Sequence, residues 1–169
     1  YATPFYGRET TYSYKMKTEE KTRNVYSKES VKATERYKIN IVSGSTIFAF
    51  VGFGRKTDII LPYPVLEDGV DNPNPDLVQH YFKPGDKVVR IKSLEAIAKD
   101  AKKDTKTGPN ITIYCENGYS FTINTYVSFL EEMNGRIIVQ DALTQQSTKD
   151  IIAQLQRQNR DISNKAKDL

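Results

Sequence analysis

The chain has 169 residues, 38% of them hydrophobic, which is room for one ordinary domain, or one domain plus an extension, with a single core. Interspersed Lys and Glu leave a formal net charge of +4 and a pI near 9.0, a mildly basic balance that permits an anionic partner without requiring one. A single cysteine excludes an internal disulfide, and the longest apolar stretch, Ile47 to Phe53, falls far short of the ~20 residues of a membrane-spanning helix.

Tyr1 in place of Met marks a processed or partial chain. Tyr12, Tyr14 and Met16 alternate with polar residues and predict a strand, and the charged stretch Glu19 to Glu35 reads as a solvated linker, mobile arm or edge strand. Tyr37, Ile39 and Ile41 alternate with Lys38 and Asn40, the pattern of a strand with one buried face. Ser43-Gly44-Ser45 is a turn. Thr46 to Val51 is apolar on both faces, which predicts a central strand, and Gly52-Phe53-Gly54 ends it. Thr57 to Leu61 is a further strand stopped by Pro62 and Pro64.

From Pro62 to His80, four prolines among Asp, Asn and Gly predict a long loop with no element of its own. Pro84-Gly85-Asp86 is a tight turn, and Lys87 to Lys92 a short strand. Leu94, Ile97, Ala98 and Ala101 have helical spacing, so Ser93 to Lys103 is expected to be a helix capped by Ser93, followed by a lysine-rich loop through Lys106. Asn110 to Val127 reads as a hairpin about Asn117-Gly118. A two-residue loop would place Ile113 opposite Thr122. A three-residue loop, Glu116-Asn117-Gly118, instead pairs Cys115 with Tyr119, Ile113 with Phe121 and Ile111 with Ile123. Because register follows the buried face, a bulged turn with Gly118 left-handed is predicted, with Cys115 an inert core residue.

Asn134-Gly135 suggests a second hairpin between Tyr126–Met133 and Arg136–Gln140. After Asp141 the texture changes. Ser147 to Leu169 has neither Gly nor Pro and carries Ile151, Leu155, Ile162 and Leu169 on one rough stripe, which predicts an amphipathic helix capped near Ser147. Three units follow: a polar amino-terminal arm or edge strands over 1–36, a β-domain over 37–141, and a helical extension over 142–169. The helix stripe is the candidate partner-binding site.

The chemistry-bearing residues form no catalytic or metal-binding set. His80 is the one histidine, so zinc sites and Ser/His/Asp catalysis lack their parts. Gly52-Phe53-Gly54-Arg55-Lys56-Thr57 lacks the spacing of a phosphate loop and precedes a strand, not a helix. Glu131-Glu132 would point to opposite sides of a strand. Asp71 to Asp76 lacks the Gly and final Glu of a calcium loop. Neither an enzyme, a cofactor nor a small-molecule substrate is expected. Aromatic–basic neighbours such as Tyr37-Lys38 and Phe82-Lys83 read as core aromatics beside surface lysines. With the basic pI they leave a single-stranded nucleic-acid-binding β-barrel as the alternative, although nucleic acid is not the expected partner.

An ordered series of segments carries a family resemblance. It runs Gly44-Ser45-Thr46-Ile47-Phe48-Ala49-Phe50, then Thr57-Asp58-Ile59-Ile60-Leu61, then Gly85-Asp86-Lys87-Val88-Val89-Arg90-Ile91-Lys92. Asn110-Ile111-Thr112-Ile113-Tyr114 and Gly118-Tyr119-Ser120-Phe121-Thr122-Ile123 complete it. The series resembles the periplasmic β-sandwich subunit of type IV secretion and conjugal-transfer outer-membrane core complexes. The resemblance implies a mainly β protein, an antiparallel β-sandwich here followed by a C-terminal α-helix. It also implies a ring-forming scaffold in the periplasm, associated with the outer membrane, that contacts a lipoprotein and a channel-spanning subunit. It brings no catalytic residues.

Overall fold

Along the best-patterned segments, every second side chain is buried, as the pleat requires. Tyr37, Ile39 and Ile41 face inward from one strand, and Ile111, Ile113 and Cys115 from another. The computed structural model describes residues 17–23, 26–97 and 105–167. Its strands are β1 Lys17–Arg23, β2 Thr34–Ile41, β3 Thr46–Val51, β4 Thr57–Ile60, β5 Val65–Asp71, β6 Val78–Tyr81, β7 Val88–Ser93, β8 Thr105–Cys115, β9 Ser120–Ser128 and β10 Arg136–Asp141. Two helices accompany them, α1 Lys28–Val31 and α2 Ala142–Lys167.

The fold is mainly β, a sandwich with a C-terminal α-helix, as the sequence predicts. One sheet has the order β1-β2-β10-β4-β7-β6 and the other β3-β9-β8-β5. Both sheets are mixed, where all-antiparallel pairing was expected. β8–β9, β5–β8, β4–β7 and β6–β7 are antiparallel, whereas β1–β2, β2–β10, β4–β10 and β3–β9 are parallel. The connectivity explains this. From β2 to β6 each strand lies in the opposite sheet from the one before it, so neighbours are reached by crossovers and not by hairpins.

The core fills the space between the sheets. Tyr37, Ile59, Ile91 and Ile137 enter it from the six-stranded sheet, and Phe50, Ile111, Phe121 and Ile123 from the four-stranded one. Each fully buried side chain of this kind contributes about 1.5–3 kcal/mol through removal from water. Polar ties also cross the core. The Tyr37 hydroxyl donates to Phe48 O, and the Tyr119 hydroxyl to Ile41 O at 2.7 Å. Burial pushes both phenols above their ordinary range, so both remain protonated donors.

The central hairpin has the predicted register: Ile113 faces Phe121, Ile111 faces Ile123, and Cys115 N–H donates to Tyr119 O at 2.8 Å. Gly118 is left-handed at φ 68°, and Asn117 joins it at φ 64°. Cys115 is buried, and desolvation pushes its thiol up to about 11, which keeps it protonated and unreactive.

Several expectations are corrected. Asn134-Gly135 is not a hairpin turn, because β9 and β10 lie in different sheets and the dipeptide makes the crossing between them. Glu131-Glu132 lies in a 3-10 turn, Leu130–Glu132, not in a strand, and Glu132 pairs with Lys32 at 3.3 Å. Pro62 to His80 is not a structureless loop, since β5 and β6 form within it. β5 escapes pattern reading because its register shifts between Val65 and Val70, which turns Leu66, Glu67 and Asp68 all toward solvent. Gly69 closes that bulge. A Cβ there would lie 2.5 Å from Tyr114 O and 2.8 Å from Leu66 O, both backbone atoms.

Ser93 does not cap a helix. It is the last residue of β7, and Leu94 N–H continues toward β6 by donating to Leu77 O at 2.8 Å. The Ser93 hydroxyl folds back onto Glu95, and the backbone is not helical through Ile97. The rest of that predicted helix lies outside the described residues, as does the strand predicted over Tyr12–Met16. Of the amino-terminal readings, β1 is an edge strand paired to β2, so this sheet begins before residue 37.

Asn134 is fully buried and serves both sheets. Its Oδ1 accepts Phe50 N–H at 2.7 Å, and its Nδ2 donates to Val31 O and Thr34 O, each at 2.7 Å. Its backbone N–H donates to Phe50 O at 2.8 Å, and its carbonyl accepts the Thr57 hydroxyl at 2.6 Å. Replacing Asn134 by Ala strands three buried backbone groups at about 1–3 kcal/mol each, so urea denaturation of Asn134→Ala should show a loss of about 3–5 kcal/mol. Asn134→Asp should lose at least as much, because a carboxylate cannot donate to Val31 O and Thr34 O.

Candidate partner-binding surface

The C-terminal helix begins earlier than the sequence suggests. Its cap is Asp141, not a residue near Ser147: Asp141 Oδ1 accepts Leu143 N–H at 3.1 Å. The same carboxylate is braced through Oδ2 by the Tyr63 hydroxyl at 2.7 Å, and Tyr63 also reaches Thr144 Oγ1 at 2.9 Å. Tyr63 in turn packs edge-on against Tyr119 at 5.6 Å. The foot of α2 is therefore fixed to the core. Beside it lies a hollow of about 280 Å³ lined by Ile60, Tyr63, Ile138 and Thr144, among others.

Beyond this foot the helix leaves the sandwich. Every residue from Lys149 to Ile162 is exposed. Three of the predicted site residues, Ile151, Leu155 and Ile162, are therefore brought to one solvent-facing helix, with more than half of each side chain in water. Leu169, the fourth, lies outside the described residues. The structure adds Ile152, adjacent to Ile151, and Leu143 near the foot, both at least half exposed. Periodicity reading passes over Ile152 because it sits one step off the four–seven stripe. These large aliphatic side chains, in water on an extended helix, are the candidate interaction surface.

A second surface emerges only from strand order. The outward positions of the six-stranded sheet line up across strands as Tyr81–Arg90–Asp58–Arg136–Arg36 from β6 through β7, β4 and β10 to β2. The next row reads Val88–Ile60–Ile138–Lys38, aliphatic for its first three members. Arg90 pairs with Asp58 at 3.2 Å. Lys56 Nζ lies 4.3 Å from the Tyr81 ring centroid and Lys92 Nζ 5.6 Å, so this tyrosine is a surface platform and not a core aromatic. The Tyr37 of the earlier aromatic–basic pairs is a core residue, as expected.

His80 stands in β6 and is structural in its contacts. Asn72 Nδ2 donates to Val78 O at 2.7 Å and to His80 Nδ1 at 3.1 Å, which leaves the neutral ring protonated on Nε2. The ring stacks on Phe82 at 6.0 Å. Asn72 Oδ1 accepts Asn74 N–H at 3.1 Å, so the Asp71–Asp76 segment is organised by its own hydrogen bonds. Among the described residues, no three His, Cys, Asp or Glu side chains gather as a metal site. Gly52-Phe53-Gly54 is a tight bend in which Gly52 bridges to Arg55 and β4 follows, in accord with the sequence reading.

No protein-family model and no curated protein matches this chain.

Desolvation lowers the His80 pKa below 6.5. The unfolded chain then takes up a proton that the folded chain resists, so stability falls as pH drops below 6.5. Thermal melts from about pH 7 down to about pH 5 should show this fall, and His80→Gln should lessen it.

Proposed function

We propose that this chain is a structural, non-catalytic scaffold subunit of a cell-envelope secretion or conjugation complex, assembled through protein–protein contacts. The observation that carries the reading is α2: a helix locked at its foot by Asp141 and Tyr63 that presents Ile151, Ile152, Leu155 and Ile162 to water. A rigid sandwich with a projecting, partly aliphatic arm is built to join other subunits. The family resemblance of the strand series supplies the setting. In it the protein sits in the periplasm at the outer membrane, self-associates in a ring, and meets a lipoprotein and a channel-spanning subunit.

The alternative, single-stranded nucleic-acid binding, draws on one observation, the Tyr81 ring flanked by Lys56 and Lys92. Among the described residues the strands form two sheets, each with its own edge strands, where this reading expected a barrel. Such binding would weaken steeply with salt.

Crosslinking with mass spectrometry on intact envelopes of the source cell should recover links from Lys149 and its neighbours on α2 to other copies and to envelope proteins. The triple variant Ile151→Ser, Leu155→Ser, Ile162→Ser should lose those links while changing domain stability by no more than about 0.5 kcal/mol per site, since these side chains are already exposed. Links confined to the chain itself, with the protein recovered from the cytoplasm, would refute the scaffold reading and favour nucleic acid.

A further inference from the structure

The scaffold reading leaves open which surfaces of neighbouring copies meet, and the charge distribution bears on this. Across β2, β10, β4, β7 and β6, the outer face carries Arg36, Lys38, Lys56, Arg90, Lys92 and Arg136, with Asp58 the one acid in those strands' rows among the described residues. Its basic row runs beside the aliphatic row Val88–Ile60–Ile138, about 7 Å away along the strands. The face thus offers cations next to a strip of half-buried aliphatic side chains.

The opposite chemistry stands on the other sheet. From Val65 to Asp76 the chain has Glu67, Asp68, Asp71 and Asp76 and no Lys, Arg or His. β5 is an edge strand paired on one side only, to β8. Its bulge throws Leu66, Glu67 and Asp68 outward together, with Leu66 44% exposed, and the backbone packing around Gly69 holds that shape. The result is a small fixed knob with one aliphatic side chain followed by two acids. The basic face presents the complement, an aliphatic strip followed by a row of cations.

We propose that the basic outer face of the six-stranded sheet in one copy receives the acidic Leu66–Asp68 bulge of β5 in the next copy. The two surfaces differ, so the contact is heterologous, and repetition yields a ring if the rotation closes and a filament if it does not. An occupant from the extensions of the same copy fits less well: residues 1–16 hold Arg8 and Lys15 against Glu9, and exposed α2 holds Lys149, Arg157 and Arg160 against Asp150 and Asp161. Neither is acidic. The aliphatic strip also suits a peptide side chain better than a stacked base, which needs aromatic platforms. The inference rests on the scaffold reading and specifies one of its interfaces.

Complementary charge reversal tests it. One variant carries Lys38→Glu, Lys56→Glu and Lys92→Glu. The other carries Glu67→Lys and Asp68→Lys. Thermal melts establish that both are folded, and sedimentation velocity on the full chain reads association at low and high salt. Wild type should associate at low salt and dissociate as salt rises. Each variant alone should associate at least about tenfold more weakly, the effect of losing one good charged contact. Their mixture should recover association, because each then supplies the charge its partner lacks.

A monomeric wild type at low salt, variants that associate like wild type, or a mixture that fails to recover would each overturn the proposal. If the basic-face variant loses single-stranded DNA binding while wild-type self-association is absent, the face belongs to nucleic acid. Undiminished self-association of either variant, with α2 crosslinks still recovered in envelopes, would overturn this interface and leave the scaffold reading standing.

Discussion

A single buried amide holds the two sheets in register with one another. Asn134 sits where the chain crosses from β9 to β10, and its side chain and backbone together engage β3, β2, β4 and the end of α1. A hydrogen-bonding side chain with no access to water must be fully satisfied. The Asn134 side chain meets that demand only if β3, β2 and the end of α1 are in place at once, and its backbone carbonyl adds β4. The neighbouring glycine extends the clamp, for Gly135 N–H donates to Glu35 O at 2.8 Å and its carbonyl accepts Asp58 N–H at 2.9 Å. The crossing therefore fixes β10 between β2 and β4, and β10 in turn launches α2. The position of the projecting helix depends on the amide buried at the strand's start.

This dependence shows what a sequence conveys and what it withholds. The β8–β9 hairpin was legible down to its register, because Ile111, Ile113 and Cys115 must share a face with Tyr119, Phe121 and Ile123, and one loop length allows it. The same Asn-Gly dipeptide at 134–135 misleads, since its local turn preference is overridden by tertiary hydrogen bonds to residues about 80 to 100 positions away. β10 was legible as a strand, but its parallel partners were not, because nothing local encodes a neighbour reached by crossover. β5 was hidden by its bulge, which breaks alternation at Leu66–Asp68.

The candidate site divides in the same way. Ile151, Leu155 and Ile162 were readable because helical spacing is a local property. That they stand in water, and that Asp141 rather than a residue near Ser147 starts the helix, are properties of how Tyr63 and Thr144 meet the sandwich. The basic outer face was present in the sequence only as scattered outward positions, Arg36 and Lys38 in one strand, Arg90 and Lys92 in another, and Arg136 in a third. Only the order β2-β10-β4-β7 gathers them into rows.

If the exposed helix joins a partner as proposed, it and the packed sandwich make different demands on hydrogen exchange. Amide exchange, followed by mass spectrometry on the isolated chain and on the protein assembled in envelopes, separates them most directly. The amides of Phe50 and Asn134 should be protected in both states. Those from Lys149 to Ile162 should exchange rapidly in the isolated chain and become protected on assembly. Protection of that helix in the isolated monomer, or none in the assembled state, would contradict a scaffold that joins its neighbours through α2.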